Sequence, residues 1–203
     1  TSPIEHKAVI DPCLALEQRG YEITFLNVDK DGCIDLKQLE ESIREDTILV
    51  SLMAANNEIG TLNPLKEIGE ITRAKGVLFH TDATQGVGKI PIDVDEMKID
   101  LLSMTGHKLY GPKGMGALYV RRKKPRVRLS PIMFGGGHER GMRSGTLNVT
   151  GIVGFAKALE LSVAEMASEA ERLTGLRQRL YERLSAGLDY IFLNGHPTER
   201  LPN

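Results

Sequence analysis

Three apolar runs, each ending in polar residues, do most to limit what this chain can fold into. Thr47–Ala54 (TILVSLMA) runs into Asn56, Asn57 and Glu58. Gly76–His80 (GVLFH) delivers Thr81, Asp82 and Ala83. Ile99–Met104 leads to Thr105, His107 and Lys108. Runs that are apolar throughout, rather than alternating, are the pattern of strands covered on both faces, and segments of helical periodicity separate them. The fold class this predicts is α/β with a mainly parallel sheet. In such a sheet ligands bind beyond the carboxyl ends of the strands. Asn57, Asp82, Gln85, Thr105, His107 and Lys108 are therefore expected to converge on one crevice.

The rest of the chain fits this alternation. Ile23–Val28 reads as a further strand, Asp35–Arg44 as a short helix capped by Asp35, and Pro64–Lys75 as a helix with proline in its first turn. Ala117–Val120 reads as a hairpin or near partner of Ile99–Met104. From Val149 to Ser185 the pattern is helical, with Leu159, Val163, Leu173, Leu176 and Leu180 on one side and Gly175 a candidate break. Asp189–Leu193 (DYIFL) reads as the first strand of a second unit. The expected division is a large domain over 1–163, then a bridging helix and the start of a small domain over 164–203.

Charge and cysteines narrow the function classes. With 26 Lys+Arg against 27 Asp+Glu the formal net charge is -1, which supplies no global attraction to nucleic acid or to a membrane surface. The basic run Arg121–Arg128 reads as a solvated loop. No stretch approaches the roughly 20 apolar residues of a membrane span. Cys13 and Cys33 make neither a disulfide framework nor a metal-ligand spacing, so no metal is expected and a reducing, cytoplasmic setting is.

A lysine placed where a buried strand runs out, among glycines that let a ligand approach the backbone, suits Schiff-base chemistry at Lys108. Asp82 is the carboxylate best placed to pair with a ring nitrogen, and Thr105 and His107 can serve a phosphate. That inventory matches a pyridoxal 5'-phosphate (PLP) site.

EHKAV (Glu5–Val9), NNEIG (Asn56–Gly60), HTDATQGVGK (His80–Lys89), SMTGHKLYGPKGMGALYVRR (Ser103–Arg122) and GGGHERGMRSGT (Gly135–Thr146) resemble, in unbroken order, the NifS/IscS-type cysteine desulfurases. These are class V aminotransferases of the aspartate-aminotransferase fold. The resemblance implies the three-layer large domain of PLP-dependent transferases, with L-cysteine converted to L-alanine and enzyme-bound sulfur for iron–sulfur clusters and other products. It implies that Lys108 holds the cofactor and moves protons, that His6 stacks on the ring and acts in acid–base steps, and that Asp82 pairs with the ring nitrogen. Gln85 and Asn57 would contact the phenolic oxygen and the substrate side, while Thr105 and His107 bind phosphate. Thr146 would reach the neighbouring subunit's phosphate, so a homodimer is implied, with sulfur-acceptor or scaffold proteins as partners.

The chain departs from that pattern in three ways. No cysteine follows Lys108, no glycine-rich phosphate segment precedes EHKAV, and the family's carboxylate-binding arginine near the C-terminus is missing. The chain reads as the central portion of such an enzyme, with weak cofactor binding and no full turnover by itself. The rival readings are a selenocysteine lyase or another class V aminotransferase, distinguished by which amino acid releases sulfide or selenide. A non-catalytic dimerisation module is the third, distinguished by loss of Lys108 or Asp82; both are present.

Overall fold

The computed structural model describes residues 1–203 and has eight principal elements. In chain order they are α1 (Lys7–Glu17), α2 (Leu36–Ser42), β1 (Leu49–Ser51), α3 (Leu65–Ala74), β2 (Leu78–Asp82), β3 (Leu101–Thr105), β4 (Gly116–Val120) and α4 (Val149–Gly187). The strands form one sheet in the order β1-β2-β3-β4. The β1–β2 and β2–β3 pairs are parallel, and β4 returns antiparallel beside β3. The mainly parallel sheet and the near-partner relation of Ala117–Val120 are thus both observed.

Alternation along the strands separates two faces. Val50, Phe79 and Leu102 point into a core completed by Leu39, Leu65 and Ile68 of α2 and α3. Ser51, His80, Asp82 and Ser103 lie on the other face, joined by a row of side-chain hydrogen bonds: Ser51 Oγ to His80 Nδ1 at 2.8 Å and His80 Nε2 to Ser103 Oγ at 2.9 Å. Helix α2 is capped as its sequence demands, with Asp35 Oδ1 accepting from the backbone N–H groups of Lys37 and Gln38.

At the amino edge of the sheet, buried Asp100 is fully satisfied. Its Oδ1 accepts from Arg73 at 2.7 Å and faces Arg121 Nε at 3.3 Å, while its Oδ2 accepts from the Phe79 N–H at 3.0 Å. Arg121 also pairs with Asp95. The first arginine of the basic run is therefore a buried clasp and no part of a solvated loop.

Two expected strands are absent. Ile23–Val28 has an extended reading in the sequence, but its backbone meets Thr1, through Leu26 N–H to Thr1 O at 2.8 Å and Thr1 N to Thr24 O at 3.1 Å, the Gln38 side chain, through Asn27 N–H to Oε1 at 2.8 Å, and Ile34 in one bridge from Val28. A strand exists only through its ladder, and this segment lacks a neighbour long enough to make one. Asp189–Leu193 carries no regular structure either: Tyr190 sits at φ 60°, which breaks an extended path, and Phe192 is exposed. The chain pairs further on, where Arg200 bridges Thr61 and Leu201 N–H donates to Gly60 O.

Helix α4 is continuous over 39 residues, about 58 Å, so Gly175 does not interrupt it. No atom of another element approaches Gly175, and its cost is the ordinary one of a glycine in a solvated helix. The expected boundary at 163/164 falls inside this helix. Its first part packs on the sheet domain, through buried Gly151 and Phe155, with Ala158 against Gly111 and Ser162 against Gly88, and farther along Arg177 donates to Leu201 O.

Gly69 tests how tightly α3 packs. A Cβ there would lie 2.0 Å from the Met97 carbonyl oxygen, a backbone atom that cannot rotate away. Alanine gains about 1 kcal/mol of helix propensity over glycine, while overpacking costs roughly 1–3 kcal/mol. Gly69→Ala is expected to be net destabilising in urea unfolding. A midpoint at or above that of the unsubstituted chain contradicts this packing.

Candidate active site

The parallel register brings the expected residues to one edge. Asp82, the last residue of β2, pairs with Ser103 of β3. β3 continues two residues to Thr105, and Gly106–Lys108 then form a single 3-10 turn. That turn is held down by packing: a Cβ on Gly106 would meet Phe155 of α4 at 3.1 Å and the Pro112 carbonyl at 3.2 Å. His107 and Lys108 are exposed at its outer side. The Thr105 hydroxyl donates to Met115 O at 3.2 Å and lies 2.8 Å from His107 Nδ1. Having spent its one proton, Thr105 Oγ1 accepts from Nδ1–H, so only the imidazolium of His107 offers Nε2–H outward to an anion.

Two aspartates are buried in the sheet, and they differ in what satisfies them. Asp100 has two arginines and a backbone donor. Asp82 has one bond, from the Thr84 N–H to Oδ1 at 2.9 Å, and no cationic partner. A buried carboxylate without a counter-cation is costly unless a ligand supplies one. The donor set around it is that of an anion-bearing, cationic-ring ligand: a free acceptor at Asp82, an amine at Lys108, and a hydroxyl and imidazole on the next strand end. These residues fit PLP.

The segment after Asp82 winds into a tight turn, with Gly86 and Val87 N–H groups donating to Ala83 O and Lys89 N–H to Gly86 O. Gly88, at φ 73°, lets this turn sit against Leu109 and Ser162, each 2.8 Å from where a Cβ would be. Gln85 and Lys89 face each other within the turn, Lys89 Nζ donating to Gln85 Oε1 at 3.0 Å. Burial and the nearby Lys108 charge lower the Lys89 pKa. Gln85, Lys89 and Lys108 therefore share one neighbourhood.

His6 arrives from a separate segment, stapled to the carboxyl edge by its neighbours. Glu5 Oε1 accepts from Met53 N–H at 2.8 Å and from Ser2 Oγ at 3.0 Å, and Asn56 Nδ2 donates to Ile4 O at 2.8 Å. Met53 and Asn56 follow β1, whose pairing with β2 continues through Ala54 N–H to Asp82 O. His6 is the N-cap of α1, with Nδ1 accepting from Ala8 N–H at 3.1 Å, so its neutral ring carries the proton on Nε2. Asn57 lies exposed in the turn between Ala55 and Leu62, which bridge each other. Thr146 is also exposed, in the loop before α4, and no contact of this chain brings it to Asp82 or Lys108.

Glu5, His80 and Lys89 were assigned no role from the sequence. The Gln85–Lys89 spacing of four residues was a readable signal; the burial of Glu5 and His80 was not. Burial lowers the pKa of His80, which sits neutral between two serine hydroxyls. No three or more His, Cys, Asp or Glu side chains are grouped so as to hold a metal ion, and no helix is long and apolar enough to cross a membrane.

The sheet order and topology are those of the aminotransferase-like fold, and comparison with known proteins agrees. The aminotransferase class-V family model matches residues 1–203, and the chain belongs to that family. Among curated relatives it is similar to cysteine desulfurase IscS from Anaeromyxobacter, 60% identical over 202 residues, and to IscS from Escherichia coli, 55% identical over 203. Both matches cover 100% of this chain and 50% of the relative, so the chain spans about half their length. Among solved structures a NifS-like protein superposes with TM-score 0.92 at 42% identity, covering 100% of this chain and 55% of the other. DndA from Streptomyces lividans superposes equally well, at 42% identity, with 99% and 56% covered.

Glu5 makes the buried edge pH-sensitive. Burial pushes its carboxyl up to about 7, against the smaller opposing pull of the Met53 and Ser2 hydrogen bonds. A carboxyl whose folded pKa lies above its unfolded value of 4.5 supports the fold fully below that value. The support is lost as pH rises to about 7, an order-of-magnitude cost of about 3 kcal/mol. Glu5→Gln keeps the acceptor for Met53 and removes the ionisation. Its urea midpoint is expected to fall less between pH 5 and pH 8, roughly the window set by those pKa values, than that of the unsubstituted chain. Parallel slopes overturn the assignment.

Proposed function

We propose that this chain is the cofactor-binding portion of a PLP-dependent cysteine desulfurase, which takes sulfur from L-cysteine, leaves L-alanine, and passes enzyme-bound sulfur to acceptor proteins for iron–sulfur clusters. The observation that carries the reading is the pairing of an amine and a cation-less buried carboxylate on adjacent parallel strand ends, Lys108 after β3 and Asp82 at the end of β2. The relatives named cysteine desulfurase support the substrate class, as does a neighbouring structure, SspA in complex with cysteine, at 46% identity and TM-score 0.75 over 78% of this chain and 46% of that one.

When bound, PLP supplies an electron sink that stabilises a carbanion at the substrate α-carbon. The chain's own residues do the rest. Lys108 Nζ would hold the cofactor and, when free, would hold or return a proton at the substrate α-carbon. The Asp82 carboxylate would pair with the ring nitrogen and keep it protonated. Thr105 and His107 would hold the phosphate. His6, with its proton on Nε2, would face the ring as a donor, and Gln85 and Asn57 would serve the phenolic oxygen and the substrate side. Thr146 belongs to the neighbouring subunit's site in a cytoplasmic homodimer. The 1–163 and 164–203 division stands in this reading as cofactor domain and bridge.

The sulfur-accepting thiol lies outside these residues. Burial raises the pKa of both Cys13 and Cys33, with Asp29 and Asp31 adding to it at Cys33, so neither is poised as a thiolate. This chain is therefore expected to bind cofactor without completing sulfur transfer.

Adding PLP and reducing with borohydride, then mapping the labelled peptide by mass spectrometry, tests the site. Label is expected on Lys108, lost in Lys108→Ala, and weakened roughly tenfold or more in Asp82→Asn, since the pair with the ring is a buried charge interaction of about 2–5 kcal/mol. Label elsewhere with none on Lys108 rejects the reading.

A further inference from the structure

Lys89 is a half-buried ammonium with no carboxylate beside it. Its one side-chain hydrogen bond is to the Gln85 amide oxygen at 3.0 Å, and the charged group that acts on it is another lysine, Lys108. Elsewhere in the chain, lysines that bind a side chain do so on an exposed carboxylate, as Lys66 does on Glu96 and Lys157 on Glu160. An exposed lysine at four-residue spacing from glutamine contributes a few tenths of a kcal/mol at most. Lys89 instead bears a desolvation cost and the repulsion of Lys108, which the amide contact alone does not offset.

The contact has a directional consequence. An ammonium has donors only, and so does the Nε2 end of a carboxamide, so Oε1 is the only end of Gln85 that can face Lys89. The Nε2–H2 group is then the end left for anything else in the crevice. The phenolic oxygen of the PLP ring, an acceptor in its ionised form, needs a donor at that place, and a carboxamide free to flip presents its oxygen half the time.

We propose that Lys89 is a positioning residue of the cofactor site, which locks the Gln85 carboxamide with Nε2–H2 turned toward the phenolic oxygen of PLP. The proposal rests on the PLP reading above. Lys89 does not touch the reacting atoms; it acts through Gln85, and the turn that carries both is set by Asp82 at its start and by Gly88 packing on Leu109 and Ser162. The second positive charge beside Lys108 also suits a crevice that receives a phosphate and a phenolate.

Two measurements test it. In the chain without cofactor, the side-chain amide signal of Gln85, identified by its loss in Gln85→Ala, is expected to move in Lys89→Met and to stay near its place in Lys89→Arg, which keeps a donor-only cation. With PLP attached to Lys108, a donor on the phenolic oxygen competes with the imine proton for that oxygen. Losing the donor is expected to raise the pH midpoint of the bound cofactor's absorbance change by about one unit, tenfold in proton affinity. Lys89→Met and Gln85→Ala should each give that rise, their combination no more than either alone, and Lys89→Arg little of it. An unmoved amide signal in Lys89→Met, an unmoved midpoint, or additive rises in the double variant each overturn the role of Lys89. Failure of PLP to attach to Lys108 in the unsubstituted chain overturns the parent reading and the cofactor part of this proposal, while the amide signal still decides the Lys89–Gln85 contact.

Discussion

A parallel ladder gives neighbouring strands a common carboxyl edge, and every functional argument about this chain depends on that. Because Asp82 is level with Ser103, whatever follows β2 and whatever follows β3 must emerge side by side. An antiparallel β2–β3 pair would have sent Asp82 and Lys108 to opposite ends of the sheet. The crossovers that parallel pairing requires are the segments holding α3 and the turn after Asp82, so the same constraint that places the site also supplies α3, one of the two helices that bury the sheet's other face.

The two edges of the sheet are handled oppositely. At the amino edge Asp100 is closed off by Arg73, Arg121 and the Phe79 N–H, a buried charge satisfied within the chain. At the carboxyl edge Asp82 has a single backbone donor, and two lysines stand nearby without carboxylates. A fold that neutralises one buried aspartate and leaves the other open concentrates its unspent electrostatics at the place where a charged ligand can use them. The Ser51–His80–Ser103 row spans three strands beneath that edge and ties them with side-chain bonds in addition to the ladder.

Much of this was readable beforehand because the relevant signals are local. Continuous apolar runs located β1, β2 and β3 to within three residues, Asp35 marked the start of α2, and helical periodicity marked α4 almost end to end. Ile23–Val28 and Asp189–Leu193 went the other way, since apolar composition reports readiness to pair while pairing needs a second chain segment in reach. Only isolated contacts, with Thr1, Gln38 and Ile34, lie beside the first, and the second turns aside at Tyr190, leaving Arg200 to meet Thr61.

Residue types and their order determined that a lysine, a carboxylate and a threonine–histidine pair would end successive buried strands, and the motif sequence carried the class V aminotransferase likeness with it. Tertiary structure alone decided which aspartate is left without a cation, that Glu5 is buried deeply enough to hold its proton near neutrality, and that Lys89 turns the Gln85 amide. The physical reason is that charge state and hydrogen-bond direction depend on what is excluded from around a group, and exclusion of water and counter-ions comes from packing between segments far apart in the chain.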